Sequence, residues 1–255
     1  MKVVLLAGGF GSRLSEETYL RPKPMVEIGG QPILWHIMMG YGRHGFTDFI
    51  ICLGYKGYVI KEYFSNFLLH RSDFTIDLAS GAIERIASED VPPWRVTLVD
   101  TGTHTMTGGR LKRIAHLLPP DEPFCMTYGD GVSDVPIVEL VAFHRRMGLE
   151  ATVTSVRPPG RWGATAIEGD KVVQFEEKPS QGWVNGGFFV LEPRVIDRIA
   201  GDDSVWEAEP LTGLAAEGQL AAYRHEGFWQ PVDTLRDRTQ LEALWAGGDP
   251  PWKSW

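Results

Sequence analysis

The stretch LLAGGFGSRLSEETYLRPKPM, residues 5–25, places three glycines, an arginine and a Pro-Lys-Pro directly after an apolar run. That run, residues 3–6, is short, continuous and rich in apolar residues, which is typical of a buried parallel strand. Glycines after such a strand let the backbone approach a ligand closely, and their amide N–H groups can bind phosphate. The stretch therefore predicts a strand that leads into a phosphate-binding turn.

Similar apolar runs recur along the chain and alternate with helical patterns. Further runs lie at residues 49–53, 96–99, 124–127, 151–156 and 187–191, and helical patterns at residues 32–45, 57–70 and 135–148. One face of the last helical pattern consists of Ile137, Leu140, Val141 and His144. Strands that alternate with helices predict an α/β fold, with a single Rossmann-like sheet that is mixed, mostly parallel and flanked by helices on both faces.

Two segments depart from this alternation. Residues 72–95 have mixed charges and no helical period, which predicts a small inserted β excursion. Residues 234–245, TLRDRTQLEALW, have the pattern of an amphipathic helix, so we expect a C-terminal helix and tail over residues 234–255. No linker or internal repeat divides the chain, and we predict one domain over residues 1–255.

The composition limits the class of partner and the compartment. A net charge of −8 over 255 residues argues against broad binding to nucleic acid or anionic membranes, because both use basic surfaces. Cys52 and Cys125 lie in apolar runs, which predicts buried free thiols and a reducing compartment. The opening MKVVLLAGG does not resemble a secretion signal, and no stretch has the length of a membrane span. We therefore expect a cytoplasmic protein.

The glycine stretch does not match two familiar phosphate-binding motifs. A dinucleotide fingerprint requires a third glycine where this chain has Leu14. A P-loop ends in Gly-Lys-Ser/Thr, whereas this turn ends in Gly11-Ser12-Arg13. Both motifs are excluded.

Fixed cations distinguish this turn from an ordinary one. Arg13 follows the glycines directly, and Lys23 lies between Pro22 and Pro24, which stiffen the backbone on either side of it. A plain glycine turn with surface cations is the structural alternative. The proline brackets favour instead a lysine that stabilises charge during transfer at phosphorus.

Two distant aspartates are candidate metal ligands. Asp130 lies in TYGDGVSD at the carboxyl end of a predicted strand, where ligands of open α/β sheets bind. Asp233 lies in FWQPVDT just before the terminal helix. Taken singly, the first is also compatible with an Asp-Gly turn and the second with helix capping. Together they match the Mg²⁺ that accompanies a nucleoside triphosphate.

LLAGGFGSRL followed by RPKPM resembles the signature of the sugar-1-phosphate nucleotidyltransferases. The resemblance covers the whole chain through KPMVEIGGQPILWHIM, VTLVDTG, MTGGRLKR, YGDGVSD, FEEKP, NGGFFVL and FWQPVDTLRD. SEET after Leu14, MTGGR and FWQPVDT are similar to the cytidylyl branch of this family, which acts on glucose 1-phosphate. Many relatives carry proline and threonine where this chain has SEET, which argues against thymidylyl or uridylyl specificity.

The resemblance implies the nucleotidyltransferase fold, which is close to that of GT-A glycosyltransferases, and a set of site residues. Arg13 and Lys23 would be catalytic, and Asp130 and Asp233 would bind Mg²⁺. The nucleotide-binding residues would be Leu6, Ala7, Gly8, Gly9, Gly11, Ser12, Arg13, Lys23, Thr105, Arg110 and Gly129. The sugar-phosphate residues would be Glu177, Lys178, Asn185 and Gly186. A solvated charged turn is the alternative for FEEKP.

Arg110 in MTGGR is the candidate for reading the base, with Thr105 assisting. Cytosine presents O2 and N3 as acceptors, whereas N3 of uracil is a donor. A guanidinium can therefore select cytosine over uracil. This leaves CTP as the expected substrate and UTP or dTTP as alternatives.

The activity that the resemblance implies needs no enzyme nucleophile. A cytidylyl group would pass from CTP to α-D-glucose 1-phosphate by in-line displacement, giving CDP-glucose and pyrophosphate for deoxysugar and polysaccharide biosynthesis. The attacking phosphate is largely ionised near neutral pH, since its second pKa is about 6. Accordingly, the seven histidines show no metal-ligand spacing and no Ser-His-Asp order is evident. Another sugar 1-phosphate is the alternative acceptor.

Two other classes of function fit the sequence less well. A glycosyltransferase of related fold would carry an Asp-x-Asp motif, but Asp130 and Asp134 are too far apart for it. A non-catalytic sugar-nucleotide sensor would have lost Lys23 or a metal carboxylate, and the chain has both. The resemblance also implies a homo-oligomer, for which the insertion and the tail with Trp252 and Trp255 offer apolar surface; a monomer is the alternative.

Overall fold

The computed structural model describes residues 1–11, 18–88, 91–158, 164–168, 170–176 and 182–255. The strands are β1 (Val3–Ala7), β2 (Glu27–Ile28), β3 (Gln31–Pro32), β4 (Asp48–Leu53), β5 (Ser72–Ile76), β6 (Ile83–Ser88), β7 (Arg95–Asp100), β8 (Phe124–Tyr128), β9 (Gly131–Ser133), β10 (Ala151–Val156), β11 (Ala164–Glu168), β12 (Lys171–Glu176), β13 (Val184–Leu191), β14 (Leu220–His225) and β15 (Trp229–Pro231). The helices are α1 (Ile33–Arg43), α2 (Gly57–Ser65), α3 (Thr107–Arg113), α4 (Ile137–Met147), α5 (Glu209–Ala216) and α6 (Leu235–Ala246).

Seven strands form the central sheet in the order β14-β10-β13-β8-β1-β4-β7. Every neighbouring pair is parallel except those of β13, which runs antiparallel to both β10 and β8. The predicted mixed, mostly parallel sheet is therefore confirmed. All six apolar runs lie in it, but the sequence did not predict the edge strand β14, because its side chains are mostly not buried and it lacks a continuous apolar run.

Helices cover both faces of this sheet, as predicted. Along β1, Val3 and Leu5 belong to a core that includes α1 and α4, whereas Val4 and Leu6 belong to a second core with α3 and α5. Successive side chains of a strand point to opposite faces, so a strand covered on both sides must be apolar throughout. This is why residues 3–6 carry no polar residue.

The helices begin and end close to the predicted positions. In α4 the whole predicted face is buried, and the helix ends at Gly148, whose φ of 63° is unfavourable for residues with a Cβ. The pattern over residues 57–70 is interrupted, since α2 ends at Ser65 and a short 3₁₀ turn (Leu69–Arg71) follows. The structure also adds α3, which runs through the MTGGR segment and was not predicted as a helix.

The segment over residues 72–95 contains the antiparallel hairpin of β5 and β6. Its apolar side chains are exposed, and they are Phe74, Ile76, Leu78, Ile83 and Ile86. β7 begins at Arg95 and belongs to the central sheet. The hairpin is thus an addition to the sheet architecture.

The C-terminal tail does not offer the apolar surface that the sequence predicts. Trp252 is only 2% exposed and stacks on Phe228, with ring centroids 5.5 Å apart. Trp255 packs edge-on against Trp35 at 5.8 Å. The expectation was wrong because these indoles cover α1 and α6 of their own chain.

Within the described ranges, none of the helices combines the length and the hydropathy needed to traverse a bilayer.

Candidate active site

A cavity of about 340 Å³ opens at the carboxyl ends of β1 and β8. Its walls are the glycine turn after β1, residues 103–107 and the turn after β8. The structure brings most of the residues predicted to bind a nucleotide to this cavity, which is named the nucleotide cavity after that prediction, and these are Leu6, Gly8, Gly9, Gly11, Lys23, Thr105, Arg110 and Gly129. They come from distant parts of the sequence because parallel strands end at the same edge of a sheet.

Some predicted residues lie elsewhere or outside the description. Ala7 does not line the nucleotide cavity, because it is buried in the same core as Val3 and Leu5. Ser12, Arg13, Glu177 and Lys178 lie outside the described residues. Their roles therefore stay predictions.

Lys23 lies in a short 3₁₀ turn (Lys23–Met25) that begins after Pro22. Its side chain is only 10% exposed, and Nζ donates to Asp130 Oδ2 at 2.7 Å and to Asp233 Oδ1 at 2.8 Å. Burial alone would lower the pKa of Lys23, but the two carboxylates outweigh it and the pKa lies above its ordinary value. The ammonium is thus held between the two predicted metal ligands.

A short β ribbon places these two aspartates side by side. β9 and β15 pair antiparallel, with Pro231 opposite Gly131, and the N–H of Val232 donates to the carbonyl oxygen of Asp130 at 2.8 Å. Asp130 directly precedes β9, and Asp233 follows β15 by one residue. The sequence did not predict this ribbon, since each of its strands has only three residues.

Glycine beside Asp130 permits close packing of the Lys23 turn. A Cβ at Gly129 would lie 3.0 Å from the Pro24 ring and 3.2 Å from the carbonyl oxygen of Leu6. Such contacts are tight, so the absent side chain lets the Pro-Lys-Pro segment approach the end of β8. This brings Lys23 within reach of Asp130.

Asp237, which is not among the residues predicted from the sequence, fixes the backbone of Asp233. Its Oδ2 accepts hydrogen bonds from the N–H groups of Asp233 at 3.1 Å and Thr234 at 2.9 Å. Thr234 is the N-cap of α6 and forms a capping box with Asp237. The spacing Thr-x-x-Asp in TLRD was the available signal. Capping is therefore performed by Thr234 and Asp237, and the carboxylate of Asp233 contacts Lys23 instead.

A second, smaller cavity of about 50 Å³ adjoins the nucleotide cavity, and Tyr128 and Asp130 line both. Asn185 and Gly186, predicted for the sugar phosphate, line this second cavity. Asn185 Oδ1 accepts from the N–H of Gly187 at 2.7 Å, which orients the amide. The carboxylate of Asp130 thus lies where the two cavities meet.

Tyr128 is held by Glu207, a residue that no sequence motif identified. The Tyr128 hydroxyl donates to Glu207 Oε1, and Thr107 Oγ1 donates to Oε2 at 2.7 Å. Burial, together with the negative charge of Glu207, raises the pKa of Tyr128 well above its ordinary value. The phenol therefore stays protonated and fixed between the two cavities.

The residues around Asp130 fit a magnesium ion. In the described part of the chain no cluster of three or more His, Cys, Asp or Glu side chains is present. Mg²⁺ commonly uses one or two carboxylates, substrate phosphates and water, so Asp130 and Asp233 suffice as protein ligands. That the ammonium of Lys23 bridges them shows that the pair accommodates a cation.

Comparison with known proteins shows the family to which the chain belongs. The nucleotidyl transferase family model matches residues 2–234. The chain is 58% identical to glucose-1-phosphate cytidylyltransferase of Salmonella typhi and 40% identical to a probable glucose-1-phosphate cytidylyltransferase of Bacillus subtilis, with full coverage of both chains in each case.

Solved structures share the fold. HddC from Yersinia pseudotuberculosis superposes with a TM-score of 0.70 at 22% identity, covering 96% of this chain and 99% of that one. The resemblance predicted from the sequence is confirmed by the family model and the full-length relatives. This chain belongs to the nucleotidyl transferase family.

Proposed function

We propose that this protein transfers a cytidylyl group from CTP to α-D-glucose 1-phosphate, giving CDP-glucose and pyrophosphate. The observation that carries the proposal is the position of Lys23, between Asp130 and Asp233 at the meeting point of two cavities. The 58% identity to a named cytidylyltransferase supports the choice of substrates.

The reaction exchanges one phosphorus–oxygen bond for another. A phosphate oxygen of glucose 1-phosphate bonds to the α-phosphorus of CTP, while the bond from that phosphorus to the bridging oxygen of the β-phosphate breaks. Pyrophosphate leaves with this bonding pair, and no proton must be removed from the nucleophile. Catalysis then depends on alignment of two anions and on charge stabilisation.

The residues around the nucleotide cavity supply these two effects. Backbone amides of residues 8–11 hold the nucleotide, Arg13 binds its β- and γ-phosphates, and Lys23 stabilises charge on the α-phosphoryl oxygens. Asp130 and Asp233 would hold Mg²⁺. When bound, the ion neutralises phosphate charge as a Lewis acid.

The smaller cavity receives the sugar phosphate. Asn185 and Gly186 line it, and we assign Glu177 to a sugar hydroxyl and Lys178 to the phosphate. Tyr128 lines both cavities, so it is placed to contact both the sugar phosphate and the nucleotide.

The base is assigned to the side of the nucleotide cavity formed by residues 103–107, where Thr105 lies. The guanidinium of Arg110, which the sequence predicts to read the base, instead donates to carbonyl groups of its own chain. Cytosine offers two acceptors there, which suit N–H donors. UTP or dTTP, or another sugar 1-phosphate, is the alternative pair of substrates.

Pyrophosphate release from four nucleoside triphosphates, each combined with several sugar 1-phosphates, tests the proposal. We expect release with CTP and glucose 1-phosphate to exceed every other pair, and no release without a sugar phosphate. A different preferred base would overturn the cytidylyl assignment. Release of pyrophosphate from CTP without any sugar phosphate would assign hydrolysis to the protein instead of transfer.

The domain organisation, the compartment and the oligomeric state form the rest of the proposal. We propose a single domain over residues 1–255, acting in the cytoplasm on a route to CDP-linked deoxysugars and polysaccharide. The buried free thiols of Cys52 and Cys125 suit a reducing compartment. The exposed apolar side chains of the β5–β6 hairpin support a homo-oligomer, because a two-stranded hairpin is marginally stable alone in water.

A further inference from the structure

The guanidinium of Arg110 lies at the carboxyl ends of three neighbouring strands and is almost fully buried. Arg110 belongs to α3, and 4% of the residue is exposed. Its Nη1 donates to the carbonyl oxygens of Leu53 at 2.9 Å and Gly102 at 2.8 Å. Nη1 also lies 2.8 Å from Thr101 Oγ1, and Nη2 donates to the carbonyl oxygen of Gly8 at 3.0 Å.

These acceptors tie together β1, β4 and β7. Gly8 follows the last residue of β1, Leu53 ends β4, and Thr101 follows the last residue of β7. Buried carbonyl groups at strand ends, where the pairing with neighbouring strands stops, need hydrogen-bond donors from other parts of the chain. A planar guanidinium serves several acceptors at once, which an ammonium on a flexible stem does less well. Arg110 thus cross-links three strand ends.

Arg110 also explains the first glycine of the AGG turn. A Cβ at Gly8 would lie 2.1 Å from Nη1 and 2.3 Å from Cζ of Arg110. Contacts under 3.0 Å force atoms to move, and here the moving group is held by four acceptors. Gly8 is therefore glycine because the guanidinium occupies the space of a side chain.

The second glycine of the turn differs. A Cβ at Gly9 would meet no atom of the described residues within 4 Å, and Gly9 lines the nucleotide cavity. Of two adjacent glycines, one accommodates Arg110 and the other faces open space. The sequence alone assigns both to the ligand.

We propose that Arg110 is a positioning residue, which holds the glycine turn in the form that binds the nucleotide. It acts through the carbonyl groups of Gly8 and Gly102, which precede the two walls of the nucleotide cavity at residues 9–11 and 103–107. The consequence for CTP rests on the proposed function, whereas the steric coupling between Gly8 and Arg110 does not.

A double-mutant cycle with Gly8→Ala and Arg110→Ala tests the coupling. Without ligand, Gly8→Ala lowers the midpoint of thermal unfolding in the parent but produces little further change in the Arg110→Ala background, where the space is vacant. Gly9→Ala is the matched control, and it leaves the midpoint unchanged. If Gly8→Ala or Arg110→Ala does not fold, the cycle uses Arg110→Leu, and recovery of folded Gly8→Ala in that background supports the proposal.

Kinetics separate positioning from a purely structural role. Calorimetry and initial rates should give a CTP affinity about tenfold or more weaker in Gly8→Ala and in Arg110→Ala, the scale for a misplaced substrate. The KM for glucose 1-phosphate should stay within about twofold, because Arg110 does not line the smaller cavity. Arg110→Lys keeps the charge but loses the planar arrangement of N–H donors, so it should restore only part of the affinity.

Additive effects of the two substitutions on the unfolding midpoint would overturn the proposal. Failure of Gly8→Ala to fold in every Arg110 background would overturn it too. An unchanged CTP affinity in Arg110→Ala would do the same. Absence of cytidylyl transfer in the parent protein would instead contradict the proposed function, since the midpoint measurements need no substrate.

Discussion

The ammonium of Lys23 lies 2.7 Å from the carboxylate of Asp130, although 107 residues separate them. Asp233 contacts the same ammonium at 2.8 Å. Because two anions share one cation, each of the three residues affects the other two. Substitutions at these positions should therefore be separable by what they do to turnover and to metal binding.

Lys23→Ala should lower kcat by about a hundredfold or more, the scale for removing a group that stabilises transition-state charge. Steady-state rates with saturating substrates measure this. Lys61→Ala, at an exposed lysine on α2, is the matched control and should leave kcat unchanged. Unchanged turnover in Lys23→Ala would remove Lys23 from the chemistry.

Asp130→Asn and Asp233→Asn should each raise the Mg²⁺ concentration needed for half-maximal activity by at least roughly tenfold, as expected when a metal shell is perturbed. Binding of Mn²⁺ with CTP, measured by electron paramagnetic resonance, gives a readout independent of turnover. Asp134→Asn is the control at the far end of β9, where Asp134 binds His225 at 2.8 Å. Equal metal affinity in all variants would contradict the assignment of the two ligands.

Asp237→Ala should destabilise the protein by about 1 kcal/mol, the typical cost of losing a helix cap. Urea unfolding measures this loss. Because Asp237 also binds the N–H of Asp233 at 3.1 Å, the metal requirement should rise as well. Asp237→Asn retains acceptor capacity and should behave between Asp237→Ala and the parent. A loss of stability with an unchanged metal requirement would restrict Asp237 to capping.

Acidification should destabilise the fold through His36. Burial lowers the pKa of His36 below its ordinary 6.5, and the ring is neutral with its proton on Nε2, which donates to the carbonyl oxygen of Ile28 at 2.8 Å. Trp252 Nε1 donates to the other nitrogen at 3.4 Å. The unfolded state therefore binds more protons below pH 6.5, so stability is full above that pH and falls below it.

Urea unfolding at about pH 8 and about pH 5.5 measures this dependence, since ordinary histidines titrate between these values. His36→Gln should lose less stability on acidification than the parent. His70→Gln, at an exposed histidine, should lose as much as the parent. Identical losses in all three proteins would assign the dependence to other groups, such as buried His144, whose pKa burial also lowers.

Replacement of Phe74, Ile76 and Ile83 together by serine should dissociate the proposed oligomer. Ile76 lies opposite Ile83 in the hairpin, and Phe74 lies on the same face two residues away. Light scattering after size exclusion measures the mass. Val172→Ser with Val173→Ser, exposed on β12, is the control. A parent protein that is already monomeric would contradict the proposal.

Local patterns in the sequence were sufficient for six of the seven strands of the sheet and for much of the nucleotide cavity. A run such as residues 3–6 is apolar because both faces of its strand are covered, and this leaves a continuous signal. The Pro-Lys-Pro brackets around Lys23 are likewise local. The strand β14 and the ribbon of β9 and β15 escaped prediction because one is an edge and the others have three residues each.

The sequence by itself determined the α/β class and the family, and it predicts Lys23, Asp130 and Asp233 as parts of one site, which the structure brings into contact. Only the tertiary structure decided that the carboxylate of Asp233 contacts Lys23 instead of capping α6, and that Gly8 is small because of Arg110. Periodicity and motifs report what a residue does among its chain neighbours. The space beside a glycine, and the partner of a buried charge, depend on atoms many residues away.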